Sequence, residues 1–199
     1  QKMLKGGSGG SNVTVKWDGA PAIFCGINPE NGKFFVATKS LFNVTSKINY
    51  TNKDISRNHG GALADKLKVA LKYFPSLGIK GILQGDLLFT SSDKKTAKVG
   101  GEDSIIFTPN TITYAVPKVS SGFLGFGSSL YKSINKAKIG IIFHTTYTGS
   151  TIKSLRASFG ANVSGLRKSN SVFFDDASYK QVGGAGFTSA EESKFNSIL

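Results

Sequence analysis

The run Asn28-Pro29-Glu30-Asn31-Gly32 constrains this chain more than any other stretch. Proline presets one backbone angle there, and asparagine and glycine accept the left-handed conformations a tight reversal needs. Apolar segments flank it at Ala22–Ile27 and at 33–38, so the pattern predicts an antiparallel hairpin. Further strand-like runs fall at 13–16, at 79–90 (broken by Gly85-Asp86), at 105–107, 111–116 and 138–147, and at 172–174. Leu63, Leu67, Ala70, Leu71 and Phe74 recur at helical spacing and predict an amphipathic helix over 60–74, with Lys66, Lys68 and Lys72 on its opposite face. Ser189-Ala190-Glu191-Glu192 has the form of a capping box opening a last helix. Residues 43–58, 91–103 and most of 148–187 are polar and read as loops, and 120–129 as a Gly/Ser-rich excursion. Strands outnumber helices and join through hairpins, which gives an α+β chain with mainly antiparallel sheet.

Length and composition narrow the classes of function. A chain of 199 residues buries a core without covalent staples, and 39% hydrophobic content is that of a folded domain. No apolar run is long enough to span a bilayer and no signal-like segment opens the chain, so no membrane partner is expected. Cys25 is the single cysteine, in keeping with a reducing, cytoplasmic compartment, and its apolar surroundings predict a buried packing thiol. Residues 1–12 read as a flexible lead-in and 13–199 as the domain, with both ends expected to be cut from a longer protein. The net charge of +13 favours a polyanionic partner such as nucleic acid.

The candidate chemistry begins in Val13-Thr14-Val15-Lys16-Trp17-Asp18-Gly19-Ala20-Pro21-Ala22. A lysine must be neutral to attack phosphorus, and its ordinary pKa of about 10.4 opposes that at neutral pH. Partial burial behind Trp17 would favour the neutral amine, whereas Asp18 alone would oppose it. Gly19 permits close approach of the backbone to a ligand, and Pro21 stiffens the entry to the next strand. By itself Lys-x-Asp-Gly also describes an ordinary hairpin corner.

Other elements come after it in order. The tract resembles motif I of the covalent lysine nucleotidyltransferases, the superfamily of ATP-dependent DNA and RNA ligases and mRNA capping enzymes. Phe35-Val36-Ala37-Thr38-Lys39-Ser40 occupies the place of motif Ia, Ile82-Leu83-Gln84-Gly85-Asp86-Leu87 resembles motif III, and Ile112-Thr113-Tyr114-Ala115-Val116 resembles motif IIIa. Trp17-Asp18-Gly19-Ala20-Pro21-Ala22, Gln84-Gly85-Asp86-Leu87, the 108–116 run and Ile141-Ile142-Phe143-His144-Thr145 are similar to signatures of uncharacterised proteins of large tailed phages.

The resemblance implies a ligase-type, ATP-grasp-like nucleotidyltransferase domain using ATP and Mg²⁺ in the cytoplasm of an infected bacterium. It implies that Lys16 forms a lysyl-AMP and passes AMP to the 5′-phosphate end of DNA or RNA. Asp18 would contact the ribose of the nucleotide or orient the lysine, Gly19 would contact the nucleotide, Lys39 a phosphate, Asp86 the ribose or the magnesium ion, and Tyr114 the adenine face. Each has a plainer reading: Lys39 as a solvated strand end, Asp86 as a turn or bulge residue, Tyr114 as core. Pro21 stands where many ligases have arginine, and the Glu-Gly of motif IV is expected beyond Leu199. The alternative is a non-enzymatic phage protein, structural or nucleic-acid binding, that retains the fold. His144 and His59 do not form a paired His-x-Thr motif, so His144 reads as a satisfied strand residue.

Overall fold

The turn at 28–32 folds as its residues predict: the Asn28 carboxamide oxygen accepts the Glu30 N–H at 2.8 Å, and Gly32 takes a left-handed φ of 69°. It joins β1 (Ala22–Ile27) to β2 (Phe34–Ala37) in antiparallel register, Phe24 opposite Ala37 and Ile27 opposite Phe34. This computed structural model describes residues 17–118 and 127–177. After β2 come α1 (Asn52–Asn58), α2 (Gly61–Tyr73) and β3 (Ile82–Thr90), then β4 (Lys95–Val99), β5 (Glu102–Phe107) and β6 (Tyr114–Pro117). The described chain closes with α3 (Gly127–Lys136), β7 (Ile139–Thr148), β8 (Arg156–Phe159) and β9 (Val172–Asp176).

The larger sheet has six strands in the order β2-β1-β3-β7-β8, with β9 also on β7. All of its pairings are antiparallel except β7 with β9. Strands β4, β5 and β6 form a separate antiparallel meander. Mainly antiparallel sheet with few helices is therefore what the structure describes, as the alternation of short apolar runs predicts.

Successive strand residues point to opposite faces, which sorts the large sheet's side chains. On one face Ile23, Cys25, Leu83, Leu87, Ile141 and Phe143 meet Leu67, Ala70 and Phe74 of the α2 segment in one buried cluster. Full burial of a Leu or Phe side chain contributes about 1.5–3 kcal/mol, so this face anchors the fold. The opposite face carries two apolar clusters. Phe24, Phe35, Ala37 and Ile82 pack near one end, and Leu88, Phe89, Ile142 and Phe173 pack against Phe107 and Val116 of the meander. Between them the face bears partly exposed polar side chains, Gln84, Asp86, His144 and Thr145.

Cys25 is fully buried, and that burial pushes its thiol well above the ordinary range, as a packing residue requires. The helix expected over 60–74 is α2, and Leu63 and Leu71 rest partly buried on the cluster that Leu67 joins.

Four expectations need correction. The polar stretch 43–58 contains α1, which Thr51 and Asp54 start with a reciprocal capping box. The polar stretch 91–103 contains β4, which turns into β5 through Gly100 and Gly101, both at positive φ. Strand β3 is not broken at Gly85-Asp86. It runs on, with register irregularities between Gln84 and Gly85 and between Leu87 and Phe89. The polar region 148–187 contains β8, and helix α3 begins inside the Gly/Ser-rich run, at Gly127. The strand expected at 13–16, the helix opened by Ser189, and Lys16 itself lie outside the described residues.

Candidate functional site

Gly19 and Gly85 each solve a packing problem. A β-carbon on Gly19 would lie 2.7 Å from the Leu87 carbonyl oxygen and 3.0 Å from the Asp86 β-carbon. On Gly85 it would lie 2.5 Å from the Ile142 carbonyl oxygen of the neighbouring strand. Only glycine lets the Asp18-Gly19 turn lie flat on β3 and lets β3 press against β7 at this level. Two backbone hydrogen bonds fasten the turn: Ala20 N–H to the Leu87 carbonyl at 3.0 Å, and Leu87 N–H to the Pro21 carbonyl at 3.1 Å. The Ala20–Pro21 peptide bond between them is cis.

Strand register then fixes what stands beside Asp86. Ala22 is opposite it on β1, Ile142 on β7, and Asp175 is opposite Ile142 on β9. Directly paired residues share a face, so Asp86 and Asp175 lie in one row with Ile142 between them. His144 brings Nε2 to 3.5 Å from Asp86 Oδ1, while its Nδ1 is 2.8 Å from the Thr145 hydroxyl. Both side chains keep some solvent access, 32% for Asp86 and 21% for His144, so the pair is open to a ligand. The second neighbour of β7 changes here: β9 ends its pairing at Phe143 and β8 begins at Thr146.

Asp18 reaches this wall from the turn and is tied to the meander. Its backbone N–H donates to the Tyr114 hydroxyl at 2.5 Å, and its Oδ2 accepts from the Asn110 amide at 3.2 Å. The Tyr114 ring packs 4.9 Å from Trp17 and stacks 5.5 Å from Phe107, centroid to centroid. Farther along the same face the Tyr147 hydroxyl donates to Gln84 Oε1 at 2.8 Å, and burial pushes that phenol above its ordinary pKa.

Lys39 follows the last β2 pair by two residues, as Ala22 precedes the partner of that pair by two. It is exposed, in a 3-10 turn capped by the Thr38 hydroxyl, at the end of the sheet that bears Ala22 and Asp86. Of the residues singled out from sequence, Asp18, Gly19, Asp86 and Tyr114 therefore come together, Lys39 stands at the same sheet end, and Lys16 lies outside the described residues. Sequence reasoning read His144 as a satisfied strand residue and gave no role to Asn110 or Asp175. His144 carried a usable signal in its polar Thr-rich continuation of an apolar strand, and Asp175 in the Asp-Asp that ends Val172-Phe173-Phe174.

Magnesium is the ion implied by the resemblance, and the wall suits one mode of holding it. Among the described residues no three His, Cys, Asp or Glu side chains converge on a point. A single carboxylate such as Asp86, completed by phosphate oxygens and water, is a usual way for this ion to bind.

These features define an α+β domain with a carboxylate-bearing wall on an antiparallel sheet. The model of a family of unknown function, DUF6267, matches residues 1–199, and the chain belongs to that family. No curated protein and no solved structure gives a match. None of the described helices is long and apolar enough to cross a membrane.

Proposed function

We propose that this chain is an ATP-dependent nucleotidyltransferase of the polynucleotide ligase kind. The observation that carries the reading is the seating of Gly19 on Asp86, which sets the Asp18-Gly19 part of the motif directly against the Gly-Asp strand. Lys16 Nζ attacks the α-phosphorus of ATP; the P–N bond forms as the bond to the β-phosphate breaks, and pyrophosphate leaves. The lysine gives up its proton to solvent. A 5′-phosphate oxygen of a nucleic-acid end then attacks the same phosphorus, the P–N bond breaks as the lysine nitrogen takes a proton back from solvent, and AMP passes to that end. Asp18 and Gly19 line the nucleotide's approach, and exposed Lys39 offers a point charge to a phosphate. Bound magnesium would neutralise charge on the phosphates, with Asp86 as its protein ligand. The excess of 25 Lys+Arg over 12 Asp+Glu supports a nucleic-acid substrate.

The test is incubation with α-labelled ATP and Mg²⁺, followed by a denaturing gel. Label on the wild type that disappears in Lys16→Ala is expected. A wild-type protein that stays unlabelled with ATP, GTP and NAD⁺ overturns the proposal.

A further inference from the structure

Tyr114 and Asn110 lie on the meander, remote in sequence from Asp18, yet both hold it. The Tyr114 hydroxyl takes the Asp18 backbone N–H, 96 residues away, and the Asn110 amide reaches the Asp18 carboxylate, 92 residues away. The two contacts act on different parts of one residue. The first fixes the backbone at the turn, and the second sets the side-chain torsion. The Tyr114 ring is engaged as well, against Trp17 and Phe107. Trp17 in turn meets Phe173 at 6.1 Å, edge to face, so the ring contacts run from the turn to β9.

We infer that the β5–β6 connection and the first residue of β6 form a positioning clamp for the Asp18 turn, with Asn110 and Tyr114 as its two contacts. Tyr114 then acts through its hydroxyl on the chain segment just after Lys16, and its ring is a support for Trp17 and not a platform for the nucleotide base. In the catalytic setting this rests on the nucleotidyl-transfer reading, because the turn being held is the one next to the proposed nucleophile. Fixing a turn beside a nucleophile lowers the entropic part of the barrier, so the clamp belongs chiefly in kcat.

The experiment compares full-length wild type with Tyr114→Phe, Tyr114→Leu and Asn110→Ala, measuring the rate of covalent AMP labelling against ATP concentration. Tyr114→Phe and Asn110→Ala are each expected to lower the maximal rate by roughly tenfold or more, and Tyr114→Phe to do so with the half-saturating ATP concentration unchanged within a factor of about two. If Tyr114→Phe matches wild type while Tyr114→Leu raises the half-saturating concentration, the ring serves the base and the clamp is wrong.

A second readout does not need activity. Trp17 is the only tryptophan, so its emission and its quenching by acrylamide report the turn directly. Tyr114→Phe and Asn110→Ala are expected to red-shift the emission and increase quenching. Unchanged spectra in both variants overturn the clamp, whether or not the wild type takes up label. A wild type without label but with shifted spectra in the variants removes the catalytic reading and leaves the clamp standing.

Discussion

Gly19 touches Asp86 through the space a side chain would fill: a β-carbon on the glycine would lie 3.0 Å from that of the aspartate. Gly19→Ala is therefore expected to lift the turn off β3 and break the Ala20–Leu87 hydrogen bond, costing about 1–3 kcal/mol by chemical denaturation. Gly81→Ala is the control, since a β-carbon there meets nothing within 4 Å, and it should change stability little. Equal effects of the two substitutions would contradict this account.

Asp86→Asn keeps the shape of the side chain and removes its charge. The folded state should survive, with a melting temperature near that of wild type, because Asp86 is partly exposed and, among the described residues, its close ionic partner is His144. Nucleotide transfer should fall by about 10²–10³, the usual scale for removing one preorganised electrostatic contact. A variant with normal labelling would remove Asp86 from the site.

Lys94 is a structural lysine. It is half-buried, and its ammonium donates to the carbonyls of Ile134, Asn135 and Ala137 at 2.8, 3.0 and 2.7 Å, closing the C-terminal end of α3. Burial, with a smaller contribution from Lys138, holds its pKa below the ordinary lysine value. Lys94→Met should cost about 1–3 kcal/mol, as expected for losing hydrogen bonds to a charged donor. Lys95→Ala, at an exposed position next to it, should cost little; a denaturation midpoint for each decides the matter.

His59 makes stability depend on pH. Its Nε2 lies 3.3 Å from the Asn49 amide nitrogen, which is a donor, so the imidazole accepts there and is neutral in the folded contact. Burial, and then Lys47, hold its folded pKa below the ordinary 6.5. The unfolded chain thus takes up the proton first, and the stability present above about 6.5 is lost as pH falls through the lower folded value. Asp54 adds a second loss at more acidic pH, because its hydrogen bond from the Thr51 hydroxyl holds its carboxyl below the ordinary 3.8. His59→Gln should flatten the first part of this profile in urea titrations from pH 8 to pH 5, and an unchanged slope would exclude the assignment.

Much of the scaffold could be read from local chemistry. The 28–32 turn and the α2 stripe are signalled by residues only a few positions apart, and both fold as expected. The elements passed over also had local signals: Thr51 with Asp54 for α1, and Gly100-Gly101 for the β4–β5 hairpin. Reading those stretches for polarity alone hid them, since an exposed strand such as β4 has no buried face to create alternation. The site is another matter. The glycine-aspartate pairs are visible in sequence, but the contact between them depends on β1, β3 and β7 lying side by side. His144 looks like any strand histidine until register places it at Asp86, and Asn110 looks like a loop residue until the meander folds onto Trp17-Asp18.

The change of neighbour along β7 has a consequence for how the molecule is made. Its first half pairs with β9 and its last residues with β8, so the β7 edge is completed by the part of the described chain that leaves the ribosome last. The sequence separation between paired residues of β7 and β9 is shorter than that between β1 and β3, so the delay comes from the order of synthesis and not from loop entropy. The sheet core of β1, β2 and β3 can assemble while the chain is still being synthesised, whereas the row from Asp86 to Asp175 exists only after β9 has docked. The carboxylate wall is thus among the last of the described features to form, and a nascent chain ending before Val172 holds the glycine-aspartate pairs without the complete row from Asp86 to Asp175.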